Sequence, residues 1–132
     1  MRCSLLIHPV LVVLFVMMVG CASIPPEPEA PAGMITYYMG IILKGPSWSP
    51  EETPERAAIQ EAHMENIRRL GKEGKLVLAG PFIDDGTIRG IFVFKCASLE
   101  EAQALTDSDP AVKAGRLEVE IHPWMVPKGV LP

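Results

Sequence analysis

Several familiar catalytic signatures are missing from this chain. No Gly-x-Ser-x-Gly turn seats a serine nucleophile, and no glycine-rich loop is built to cradle a phosphate. His63 and His122 stand at neither helical nor zinc-motif spacing, and no second cysteine lies near Cys96, so no metal site and no cofactor is expected. No internal repeat appears, and no basic run is longer than Arg68-Arg69. With 12 basic and 16 acidic side chains the formal charge is −4, which argues against a protein that binds nucleic acid by neutralising phosphates. The length of 132 residues suits one domain, and the composition excludes a disordered tail, a coiled coil and a disulfide scaffold.

What the chain does have is an uneven distribution of apolar residues. They make up 15 of the first 20 positions but 49 of the remaining 112, an ordinary share for a globular protein. Met1 to Gly20 carries one positive charge at Arg2, an unbroken apolar run from Val10 to Val19, and the small Gly20 before Cys21. This is the layout of a secretory signal, and the run is well short of the roughly 20 residues that span a bilayer. Met18-Val19-Gly20-Cys21 resembles a bacterial lipobox, with methionine where leucine is more usual. The resemblance implies that Cys21 is acylated and begins the mature chain; an uncleaved anchor, or an ordinary signal with a cysteine nearby, is the alternative. Acylation anchors a protein to the membrane surface without spanning it, which places the domain in a bacterial cell envelope, outside the cytoplasm. Ala22, rather than aspartate, implies an outer membrane, facing the periplasm, in a Gram-negative cell. Pro25, Pro26, Pro28 and Pro31 make the stretch up to Gly33 a semi-rigid spacer. The expected organisation is therefore a signal over 1–20, a linker over 21–33 and a domain over 34–132. With Cys3 lost and Cys21 acylated, only Cys96 remains, so no internal disulfide forms, and Cys96 reads as a small buried apolar side chain.

The folded part alternates strand and helix signals. Thr36 to Leu43 reads as a strand, and Gly45 to Pro50 as a loop carrying Trp48. Thr53-Pro54 then supplies a cap and a first-turn proline to a helix that ends at Gly74. Ile59, His63, Ile67 and Leu70 recur at helical spacing, so His63 lies on or beside the buried stripe. Lys75 to Ala79, closing at a Gly80-Pro81 turn, and Ile88 to Lys95 read as a hairpin around Asp84-Asp85-Gly86. Ser98 and Glu101 form a capping box for a short second helix, Asp109-Pro110 restarts a helical turn that Gly115 stops, and Leu117, Val119 and Ile121 alternate with polar residues in a last strand. The order βαββαβ is the ferredoxin-like α+β plan, an antiparallel four-stranded sheet with both helices on one face. The other face is too apolar for solvent, and a homodimer packing sheet against sheet would cover it.

Histidine is the side chain suited to proton transfer at physiological pH, and a carboxylate beside His63 would hold one tautomer, as a general base requires. A lone helical histidine is also often simple packing, and Asp109 read alone is the cap of the turn that Pro110 opens. The run His63-Met64-Glu65-Asn66-Ile67, with Leu70, Gly74-Lys75-Leu76, Ala79-Gly80-Pro81, Gly90, Glu101-Ala102, the stretch Asp109 to Gly115 and the stretch Glu118 to Trp124, resembles the YCII-related (YciI-like) family from about Met34 to Trp124. That resemblance implies a ferredoxin-like fold that dimerises into an α+β barrel, with a histidine and aspartate pair in a cleft, carried over to His63 and Asp109. Some relatives dehydrochlorinate chlorinated hydroquinones, which implies proton abstraction or elimination on a small cyclic substrate. His122 stands where the family commonly has arginine before Pro-Trp, so an anion-binding role there would depend on pH.

Three functions follow. An enzyme would use His63 as base, Asp109 as its orienting partner and Gly80-Pro81 to shape the cleft, in isomerase- or lyase-like chemistry. A binding module would hold a small acid or phenol in the same cleft, with Gly80, Pro81 and His122 as ligand-binding positions. A membrane-tethered interaction scaffold would use His63 for packing and Asp109 as a cap alone. Trp48 and Trp124 are candidates to line the cleft, or simple packing residues.

Overall fold

Side-chain caps set the helix starts. The Thr53 hydroxyl accepts from Arg56 N at 3.1 Å, Ser98 from Glu101 N at 3.2 Å, and the Asp109 carboxylate from Ala111 N at 2.9 Å. The computed structural model describes residue 27 and residues 29–132, and within them runs β1 (Met34–Lys44), α1 (Pro54–Lys72), β2 (Leu76–Pro81), β3 (Ile88–Phe94), α2 (Leu99–Asp107), α3 (Pro110–Lys113) and β4 (Leu117–Pro127). The signal, the lipobox cysteine, the linker as far as residue 26 and residue 28 lie outside the described residues. At the end of α1, Gly74 takes φ +70° and Lys75 N donates to Leu70 O at 3.0 Å, the left-handed termination that the glycine signals. Glu101 reaches back to Ala97 N, one residue before the capping serine.

The strands form one antiparallel sheet in the order β2-β3-β1-β4, the ferredoxin-like arrangement expected of the βαββαβ string. Two strands run further than their composition suggests. Gly80 and Pro81 belong to β2, opposite Ile91 and Gly90, and are not a turn. β4 continues past His122 to Pro127, pairing with β1 as far as Met34. Both are edge strands, where a proline without an N–H need not interrupt a ladder. The hairpin turn has its positive φ at Asp85, not at Gly86, whose N–H is held by the Asp84 carboxylate at 3.2 Å. Gly90 is obligatory for the β2–β3 contact, because a Cβ there would lie 2.3 Å from Gly80 O. Gly45 plays the same part between loops, with a Cβ position 2.4 Å from Gly115 O.

Each sheet face has its own core. Tyr38, Ile42, Leu70, Leu76, Phe92, Phe94 and Ala102 pack under the helices. On the opposite face Tyr37, Val93 and Val126 are buried, with Ile35, Met39, Ile91 and Leu131 against them. The C-terminal tail thus covers part of this face; the Tyr37 hydroxyl donates to Pro132 O at 3.0 Å. Nothing in the composition marked that tail. Glu27, within the expected linker, touches the domain, accepting from the Tyr38 hydroxyl and, at 3.1 Å, from Leu99 N at the start of α2.

Candidate functional site

α1 and α3 meet through one carboxylate. His63, with Asn66 and Leu70, forms the buried stripe of α1, and Asp109, 2% exposed, is the N-cap of α3. His63 Nδ1 lies 2.9 Å from both Asp109 oxygens. Asn66 Nδ2 donates to Oδ2 at 2.9 Å, and Ala111 N to Oδ1 at 2.9 Å. Arg69 in turn donates to the Asn66 amide oxygen at 2.8 Å, which fixes that amide with its nitrogen toward Asp109. Asp109 therefore caps a helix and also hydrogen-bonds the histidine.

Burial alone would raise the Asp109 carboxyl, but the hydrogen bonds from His63 and Asn66, the nearby imidazole charge and the Ala111 amide outweigh it. The net effect is a pKa below the usual carboxylate value. An ionised Asp109 accepts a hydrogen from Nδ1, so the lone pair of the neutral ring is on Nε2. The ring leans on Phe92, with centroids 6.1 Å apart.

His63 also lines a cavity of about 390 Å³, within the range of small-molecule sites. Ile42, Ile67, Phe92 and Leu117 give it apolar walls, Trp48 and Met64 add to them, and Gly80 and Pro81 contribute the strand edge. The structure thus brings together His63, Asp109, Gly80, Pro81 and Trp48. It does not bring His122, which is exposed on β4 opposite Met39 and does not line the cavity. Strand alternation turns His122, expected as a ligand-binding position, to the face away from the helices and so away from His63 within one protomer. Trp124 pairs with Tyr37, is 36% exposed, and also lies outside the cavity. Cys96 is half-buried, and burial is the main cause that pushes its thiol up to about 11, so it is not a reactive thiolate.

Two cavity residues had no motif to mark them. Arg56, from the first turn of α1, and Arg89, from β3, both line it. The sequence signal for Arg89 is weak, a lone cation in an otherwise apolar strand. Among the described residues no group of three or more histidine, cysteine or carboxylate side chains is placed to hold a metal.

Residues 37–125 match the family model described as the YCII-related domain. The uncharacterized protein YjpA of Bacillus subtilis is 38% identical over 66 residues, covering 50% of this chain and 75% of that protein. The protein YciI of Escherichia coli O6:H1 is 34% identical over 79 residues, covering 53% of this chain and 81% of its own length. Among solved structures, 5-chloro-2-hydroxyhydroquinone dehydrochlorinase from Burkholderia phenoliruptrix AC1100, in complex with 2,5-dihydroxybenzoquinone, aligns with a TM-score of 0.49 at 19% identity, over 68% of this chain and 93% of that one.

Proposed function

This chain belongs to the YCII-related domain family, and from that premise we propose that its cavity performs acid–base chemistry on a small organic substrate, with His63 as the base. The observation that carries this is the hydrogen bonding of His63 Nδ1 to both oxygens of the buried Asp109 while the ring lines the cavity. Nε2 takes a proton from a carbon or hydroxyl of the substrate. The C–H or O–H electron pair stays on the substrate, and the imidazolium that forms is stabilised by Asp109. Returning the proton at another atom gives an isomerase; expulsion of a leaving group from the neighbouring carbon gives a lyase. Gly80 and Pro81 shape the edge where the substrate enters. The test is deuterium incorporation from D2O into a panel of small cyclic ketones, followed by proton NMR. Wild-type chain is expected to speed exchange, and His63→Gln to abolish it while unfolding at the same urea concentration. Equal exchange in the two proteins would overturn the reading and leave a binding module or a scaffold.

The site belongs to a tethered, paired molecule in this reading. Residues 1–20 are a lipoprotein signal, Cys21 carries the acyl chains, 21–33 is the spacer and 34–132 is the domain, held at the outer membrane facing the periplasm if the cell is Gram-negative. The support is the apolar run, the Gly20-Cys21 junction and the proline spacing. Metabolic labelling with palmitate, lost in Cys21→Ser, tests the anchor. A homodimer through the open sheet face completes the α+β barrel, supported by Leu78 at 41% and Ile88 at 43% exposure among the apolar residues left uncovered. Cross-linking of the full chain in detergent tests it.

A further inference from the structure

We infer that the cavity selects a small planar organic anion and grips its negative group with Arg56 and Arg89; this rests on the small-molecule reading above and narrows it to a substrate class. The charged side chains lining the cavity are Arg56, Arg89 and, when protonated, His63, and no carboxylate is among them. The charged part of the lining is thus cationic in a chain of net charge −4.

Among the described residues the two guanidinium groups have only exposed carboxylates as ionic partners. Arg56 pairs with Glu52, whose side chain is 81% exposed, and Arg89 approaches Asp85, 99% exposed, at 3.9 Å. Carboxylates so hydrated are weak partners, and a ligand anion that reaches the cavity competes with them readily. Both arginines are held in place from behind. Arg56 donates to Pro50 O at 3.0 Å and Glu51 O at 3.2 Å, and Arg89 lies over the Trp48 ring at 5.0 Å from its centroid. Lys44 and Arg116 also approach that ring, at 5.6 and 5.3 Å, so the indole gathers three cations beside the cavity. A planar guanidinium fork matches a carboxylate or enolate in two parallel hydrogen bonds. The apolar walls leave the rest of the space to a flat hydrocarbon body. An anion held there lies in the same cavity as the His63 ring that is to take its proton.

The test is calorimetric titration of the full-length chain with benzoate and with benzamide, which share shape and differ in charge. Benzoate is expected to bind at least about tenfold more tightly than benzamide, with an affinity that falls as salt rises. Arg89→Gln and Arg56→Gln are each expected to weaken benzoate by about five- to tenfold and benzamide by less than about twofold. Should Arg56→Gln fail to fold, Arg89→Gln alone carries the comparison. Equal affinities for the two ligands, unchanged benzoate binding in Arg89→Gln, or binding of neither ligand overturns the inference. Deuterium exchange separates it from the acid–base reading. Exchange without an anion preference removes only the arginine grip, and an anion preference without exchange removes only the chemistry.

Discussion

The two faces of the sheet are finished to different degrees. Under the helices, Leu70 is 2% exposed and Phe94 1%, and the layer is closed by α1 and α2 within one chain. On the other face Tyr37 and Val93 are equally buried, but their cover is a short tail ending at Leu131 and Pro132, and Leu78, Ile88 and Trp124 are left exposed beside it. The hydrogen-bonded His63 and Asp109 and the cavity beside them belong to the closed side. On the reading proposed above, which needs one fixed imidazole orientation, the chemistry falls where packing is complete and the association falls on the looser face.

The comparison is broken most severely from the closed side. Leu70→Ala is expected to cost about 3–4 kcal/mol, read from urea unfolding monitored by circular dichroism. Asp109→Asn keeps the side-chain shape but weakens the cap and the imidazole's partner together. It is expected to cost about 1–3 kcal/mol and to reduce deuterium exchange at least about tenfold. A pH series sharpens the same point. Asp109 has a lowered pKa in the folded chain, so the fold binds fewer protons than the unfolded chain does in acid. Its contribution is fully present above the unfolded value near 3.8 and is lost as the pH falls below it through the folded value. Wild type should therefore lose stability more steeply than Asp109→Asn in that acid range, and equal slopes would show that the carboxylate is not held by its neighbours. The smallest effect belongs to the open face. Leu131→Ala deletes the same side chain as the first substitution but is expected to cost less than about 1 kcal/mol, since the tail residue is only partly buried.

The order of elements was legible because caps and terminators stand where the elements begin and end. Thr53-Pro54, Gly74, Ser98 and Asp109-Pro110 each do in the structure what their chemistry suggests. The strand ends were less legible because proline reads as a stop, and only the sheet order reveals that β2 and β4 are edges that tolerate Pro81 and Pro123. His63 on a buried stripe was visible in the spacing. Its hydrogen bond to Asp109 was not, since the two are 46 positions apart and only the packing of α1 on α3 joins them. The resemblance to a family, not periodicity, pointed to the pair. Arg56 and Arg89 escaped both routes, because a cation in a helix's first turn and one in a strand look like surface residues until the cavity places them together. His122 had the reverse fate, a position with a family precedent that alternation turns away from the cavity.

Asp109 spends its two oxygens on four contacts, and one of them is the backbone amide of Ala111. The first turn of a four-residue helix is therefore mechanically linked to the imidazole. Fraying of α3 would slacken the hold on the ring without any strand of the sheet opening, a local failure distinct from global unfolding. The Ala111 amide is a built-in gauge of that event. Its hydrogen exchange with solvent counts how often the carboxylate lets go.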